Sequence, residues 1–244
     1  MNSSDTNKKG FTLLELLIVI AIIAVLSILL IIVLDPSETL KRARDSQRVS
    51  DLNTMKTAIG IYLTSTSSPQ LGGASANICI GANGAGAIAY SYPDNAVALP
   101  VCTNGATTPL GADSASSSFV ASDCFEGAST TYTAINGTGW IPINFLALSG
   151  GSPISNIPVD PVNTIATLTA PSSTDYVYRY ICQSQTSAPT KPAHAYQMAA
   201  TLESALYGPS NTTGGLDLKD GSPNTAYYMA GSDAYLFPAT STTF

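Results

Sequence analysis

Residues Lys8–Leu34 read KKGFTLLELLIVIAIIAVLSILLIIVL, and this stretch decides how the rest of the chain is to be understood. From Leu16 to Leu34 nineteen consecutive residues carry no charge, and only Ser27 interrupts the apolar run. At 1.5 Å per residue that is roughly 28 Å of helix, close to the hydrocarbon thickness of a bilayer. A cleavable secretory signal would have an apolar stretch of about 7–15 residues followed by a small-x-small cleavage site. Here the run is longer and ends in Asp35-Pro36-Ser37-Glu38, so the segment is expected to stay in the mature chain as a membrane span. Lys8 and Lys9 precede it, which places the amino terminus in the cytoplasm and the bulk of the chain outside. Lys41, Arg42, Arg44, Arg48 and Lys56 behind the span oppose this orientation, but Asp35, Glu38, Asp45 and Asp51 are interleaved with them.

After Pro36 the pattern turns amphipathic. Val49, Leu52, Met55, Ile59, Tyr62 and Leu63 recur at steps of three and four, which makes one helical stripe facing a core. Asp35 has the chemistry of an N-cap, Pro36 suits a first helical position and Glu38 sits where a capping box needs it, so a helix can restart here. The alternative is one continuous helix kinked at Pro36, which has no amide hydrogen to give. The basic cluster of Lys41, Arg42, Arg44 and Arg48, with its interleaved acids, reads as helix-surface pairs and subunit contacts.

The chain has 244 residues, 45% of them apolar and only 11% charged, with a net charge of -6, enough for one domain with a core. Residues 57–244 hold three basic side chains, Arg179, Lys191 and Lys219, against ten acidic ones, so this part lacks the clustered cations that nucleic-acid binding needs. His194 is the one histidine, and no phosphate-cradling or hydrolytic motif is present. Neither a catalytic constellation nor a cofactor site is therefore expected. From Ser65 on, Ser, Thr, Gly, Ala, Asn and Pro dominate. Tyr176, Tyr178 and Tyr180 alternate with Val177, Arg179 and Ile181, and Tyr196, Met198, Ala200 and Leu202 share one face. This is the period of two strands, joined through 183–193 as an antiparallel pair. Cys79, Cys102, Cys124 and Cys182 lack paired C-x-x-C spacing, so disulfides are expected rather than a metal, with the connectivity open.

Lys8–Leu30 closely resembles the class III signal of type IV prepilins and type II secretion pseudopilins: a basic pair, then Gly, Phe, Thr and a glutamate at a fixed offset inside the apolar run. In that family a prepilin peptidase cuts between the glycine and the phenylalanine and methylates the new amino terminus. The resemblance implies cleavage between Gly10 and Phe11, N-methylation of Phe11, and an assembly role for Glu15, paired with the amino terminus of a neighbouring subunit. Independently, a carboxylate one turn inside a membrane helix costs a few kcal/mol unless paired, which makes Glu15 a functional candidate. The implied partners are further copies or related subunits in a filament, the peptidase, the pilus or secretion assembly machinery and membrane lipid, with no nucleic acid.

Gly139–Asn163, GWIPINFLALSGGSPISNIPVDPVN, followed by YVYRY and YQMAATLES, is similar to the head sheets of pilins and pseudopilins. In major pseudopilins a head loop near such a turn binds calcium, which makes Asp160, Asp217 and Asp220 weak calcium candidates. They form no recognisable ligand series, and Asp160 reads better as a turn-former. Two features depart from the family: no proline lies inside the apolar run, and the last 62 residues contain no cysteine.

The expected fold is α+β. A leader (1–10), an apolar membrane and assembly helix (11–34) and its amphipathic second half (35–65) precede a Ser/Thr/Gly-rich loop or insertion (66–138) and a small antiparallel sheet forming the head (139–244). The expected function is a structural filament subunit, ending outside the cell after assembly. The competing expectation is a minor subunit whose head is a binding module for adhesion, DNA uptake or a secretion substrate.

Overall fold

The computed structural model describes residues 10–73, 79, 88–91, 131–165, 172–183 and 194–237, and the backbone of 124–126. The chain divides into two compact units, residues 1–41 and 42–244.

In the first unit, helix α1 (Leu13–Leu34) begins at Thr12, whose extended backbone (φ -79°, ψ 148°) makes it the N-cap. The Thr12 hydroxyl accepts from the Glu15 amide at 3.2 Å, satisfying one of the four free donors at a helix start. No residue of α1 is buried. By length and composition this is a helix that can cross a membrane. Its polar interruption, Ser27, returns its hydroxyl to the Ile23 carbonyl at 2.8 Å and so leaves nothing unpaired. At Asp35 the backbone turns left-handed (φ 34°) and α1 ends. Helix α2 (Pro36–Ser65) starts at once, with Asp35 Oδ1 accepting from the Glu38 amide at 3.3 Å. Of the two sequence readings the restart is the one adopted: Pro36 occupies a first helical position, where its missing amide hydrogen costs nothing.

The second unit is built on a five-stranded sheet in the order β2-β1-β3-β4-β5. Its strands are β1 (Ile88–Tyr90), β2 (Cys124–Glu126), β3 (Arg179–Cys182), β4 (Tyr196–Ala200) and β5 (Tyr228–Gly231). β1, β3, β4 and β5 pair antiparallel, and β2 joins β1 in parallel at the edge. The expected β3/β4 pair forms, with Tyr180 opposite Met198 and Cys182 opposite Tyr196. The stretch expected as a Ser/Thr/Gly-rich loop or insertion, 66–138, contributes both β1 and β2, whereas residues 139–165 run as turns with one 3-10 segment, Phe145–Ala147. Ile88-Ala89-Tyr90 is too short for its period to register in sequence, and its partner on β3 lies some ninety residues away.

The strand alternation separates two cores. On the α2 side, Leu52, Met55, Ala58, Ile59 and Tyr62 of the helix meet Tyr178, Tyr180, Tyr196 and Met198 of the sheet, with Trp140, Ile141, Ile143 and Phe145 filling in. The Tyr62 and Phe145 rings meet edge to face at 5.9 Å. On the other side, Val177, Ile181, Ala199 and Met229 pack with Tyr227, Leu236 and Phe237. Buried Arg179 also lies on that side, 4.6 Å over the Tyr227 ring, donating to the Val177 and Ser172 carbonyls. Because both faces are covered, strand residues of either parity are buried.

Cys79 and Cys182 form a disulfide across a sequence separation of 103 residues, tying the stretch after α2 to β3. In the chain-entropy account, closing a loop of that length stabilises by about 4–5 kcal/mol. Cys102 and the side chain of Cys124 lie outside the described residues. Alkylating the unfolded but unreduced chain and mapping its peptides should leave Cys79 and Cys182 unlabelled and cross-linked; label on either rejects the pairing.

Candidate functional site

The amino end of α1 brings together the residues that sequence singled out there. Gly10 and Phe11 precede the Thr12 cap in non-helical backbone, and Phe11 is 82% exposed. A Cβ placed on Gly10 would meet nothing within 4 Å, so the fold itself does not require glycine at this position. Glu15 is exposed, and its carboxylate has no partner among the described residues. Its place in the first turn suits the helix dipole, but that worth falls short of what a carboxylate needs in an apolar surrounding.

In the second unit the functional geometry gathers around Arg48. The helical stripe Leu52–Met55–Ile59–Tyr62 continues backward at the same spacing to Arg48 and Asp45, and both are fully buried. Arg48 Nε and Nη2 donate to the two oxygens of Asp160 at 2.7 and 2.9 Å. Its Nη1 donates to Asp45 at 2.9 Å and to Glu203 at 2.6 Å. The Tyr176 ring lies 5.0 Å from the guanidinium carbon. Arg44 adds a two-point contact to Glu203 at 2.6 Å on each arm. Asp45 in turn accepts from the backbone amides of Glu203 and Ser204, which follow β4. Three carboxylates and two guanidinium groups thus bind α2 both to the turn carrying Asp160 and to the chain leaving β4.

The electrostatics follow from this arrangement. Burial would lower the Arg48 pKa, but the bonds to Asp160, Glu203 and Asp45 outweigh it and hold the guanidinium above its ordinary value. Burial would raise the Glu203 carboxyl, yet Arg44 and Arg48 hold it below the usual carboxylate range. Nearby, Asp51 is pushed up by burial, against the pull of the Tyr178 hydroxyl that donates to it at 2.7 Å.

One sequence reading is corrected here. Arg48 is not a surface cation, because it is fully buried among carboxylates of its own chain, and Arg44, still partly exposed, pairs with Glu203 of the same chain. Sequence reading missed this lock, although the Asp45–Arg48–Leu52–Met55 spacing carried a signal for it: charged residues at core-facing positions of a helical stripe demand partners. Asp160 does form its turn, accepting from the Val162 and Asn163 amides, but its main engagement is with Arg48, which occupies both oxygens. Asp220 accepts from the Ser222 and Met229 amides at 2.7 and 2.6 Å. Asp217 is buried, with Oδ1 unpartnered among the described residues. No group of three or more metal-ligating side chains occurs among the described residues.

Residues 5–31 match the family model described as the prokaryotic N-terminal methylation motif. No curated protein and no solved structure matches the chain.

Replacing Arg48 by Ala should destabilise the second unit by about 3–5 kcal/mol, because it strands buried carboxylates, and denaturant unfolding would measure this. Glu203, held below its ordinary value of 4.5, contributes stability that is fully present above that pH and lost as pH falls through its lowered value. Glu203→Gln should flatten the acid limb of the melting-temperature profile; an unchanged limb would contradict this.

Proposed function

We propose that this chain is a prepilin-type structural subunit, not an enzyme. A prepilin peptidase would cut between Gly10 and Phe11 and N-methylate Phe11, and the processed subunit would polymerise through α1 into a type IV pilus or pseudopilus. The observation that carries the reading is the matched methylation motif at the start of a helix with no buried residue. A helix exposing Leu, Ile and Val along its whole length has to be covered by lipid or by other helices. The Gly10–Phe11 bond proposed as the cleavage point lies in exposed, non-helical backbone just ahead of the Thr12 cap, which supports access by a protease. The fold is indifferent to glycine at position 10, so recognition by the peptidase supplies the reason for it. The unpaired Glu15 carboxylate would meet the methylated amino terminus of a neighbouring subunit, setting axial register as the apolar helices bundle.

In this reading Lys8 and Lys9 hold the amino terminus on the cytoplasmic side and the second unit stands outside. Membrane lipid and the pilus or secretion machinery are then its partners before assembly. A second reading, a minor subunit whose head captures a target, is favoured by one observation, the open cleft beside β5 described below.

N-terminal peptide mass spectrometry on sheared surface filaments should find a chain starting at methylated Phe11; a chain still starting at Met1 and absent from filaments would overturn the proposal. Glu15→Ala should insert into the membrane at normal levels but reduce filament yield at least tenfold. Undiminished yield would remove the register role alone.

A further inference from the structure

β5 is the last strand of the sheet, and its outer edge is only partly satisfied. The Ser232 amide donates to the Tyr196 carbonyl at 2.9 Å, which makes 198/230 and 200/228 the hydrogen-bonded pairs of the β4/β5 ladder. Met229 and Gly231 therefore turn their amides and carbonyls away from β4. The Met229 amide is taken by Asp220 Oδ2. The Met229 carbonyl and both backbone groups of Gly231 have no partner among the described residues. Gly231 itself is fixed by its inner neighbour: a Cβ there would run into the Tyr196 carbonyl and come within 2.7 Å of Gln197 Cα, so only glycine lets β5 lie this close to β4.

These groups border an open cleft of about 250 Å3, lined among others by Asn53, Lys56, Asp220, Ser222, Gly231 and Asp233. Among the described residues nothing covers it. The volume corresponds to about eight waters, room for a short segment and not for a folded element. Unpaired edge groups are a template for a further strand, with main-chain bonds giving affinity and flanking side chains giving selectivity. Two carboxylates against one ammonium set the sign of the preferred side chain.

We propose that this cleft docks an extended peptide segment of a partner chain that carries a lysine or arginine, added as a strand on β5 with its cation against Asp220 and Asp233. The proposal is independent of polymerisation, since docking is read on single chains. Asp220 gives it a pH dependence. Burial pushes this carboxyl up to about 6, against the pull of the Ser222 and Met229 amides, and the charge of Asp217 adds to the rise. Tyr228 on β5 feels its charge, and Lys56 from α2 lines the same cleft. Asp220 gains its charge as pH rises through about 6, so a cationic side chain binds better above that value.

The test uses the full chain in detergent micelles, titrated with fluorescent forms of the peptides Thr-Lys-Thr-Val and Thr-Glu-Thr-Val, both blocked at their ends. The lysine peptide should bind saturably, at least fivefold more tightly than the glutamate peptide and at least threefold more tightly at pH 7.5 than at pH 5. It should also slow hydrogen exchange at the Gly231 amide. Asp220→Asn and Asp233→Asn should each weaken it, and Lys56→Glu should tighten it at least twofold, a gain that misfolding cannot mimic. Equal binding of the two peptides, absence of binding, or no gain in Lys56→Glu would overturn the proposal. So would Gly231 protection that rises with protein concentration and without peptide, which would make a second copy the occupant.

Discussion

Arg48 is buried to zero exposure, and the fold of the second unit depends on how that charge is neutralised. A guanidinium taken out of water costs several kcal/mol unless its donors are filled. Three of its donor nitrogens are filled by three carboxylates from three separate places in the sequence: Asp45 one turn away on the same helix, Asp160 between two prolines, and Glu203 just after β4. Such a cluster adds little net stability compared with a well-packed apolar one. It is nevertheless highly directional. Sliding α2 by one residue along the sheet would leave buried carboxylates without hydrogens, so the cluster admits one register where the apolar stripe Leu52–Tyr62 alone would tolerate several.

That register propagates. With Asp45 holding the Glu203 and Ser204 amides, the chain leaving β4 is fixed against the helix. The strand alternation then sends Tyr178, Tyr180 and Met198 toward α2, and Val177, Ile181 and Ala199 away from it. Several tyrosine hydroxyls on the α2 side reach polar groups at the margins: Tyr178 donates to Asp51, Tyr180 to the Leu71 carbonyl and Tyr196 to the Lys56 carbonyl. Their rings thus serve as apolar packing while their polar ends stay satisfied. The disulfide at Cys182 adds a covalent tie to the same face.

Periodicity over long stretches was legible in sequence, and so was the chemistry of caps. The nineteen-residue apolar run, the stripe on α2, the Asp35-Pro36 restart and the β3/β4 pair each draw on several residues that agree with one another. β1 and β2, of three residues each, carried no such redundancy and are defined only by their neighbours in the sheet. The Arg48 cluster was hidden for a related reason. The spacing of Asp45 and Arg48 on the apolar stripe calls for partners, but Asp160 and Glu203, 112 and 155 residues away from Arg48, are set beside it only by the fold. Asp160 shows the same limit from the other side, because its flanking prolines announced a turn and said nothing about what the carboxylate would hold.

The two units treat charge in opposite ways. Arg48 lies in the core and is satisfied entirely within the chain, so nothing outside is needed to explain it. Glu15 lies in the most apolar segment and meets no partner among the described residues, on a helix that buries nothing of itself. A carboxylate in that position is tolerable in water, where α1 is not, and α1 is at home in hydrocarbon, where the carboxylate is not. Among the described residues nothing covers this apolar surface or supplies a positive charge near the start of the helix. In the proposed filament a neighbouring subunit would do both, its apolar helix covering α1 and its free, methylated amino terminus meeting Glu15. The proposed cut at Gly10–Phe11 and the proposed pairing at Glu15 are therefore linked, because the first creates the cation that the second requires.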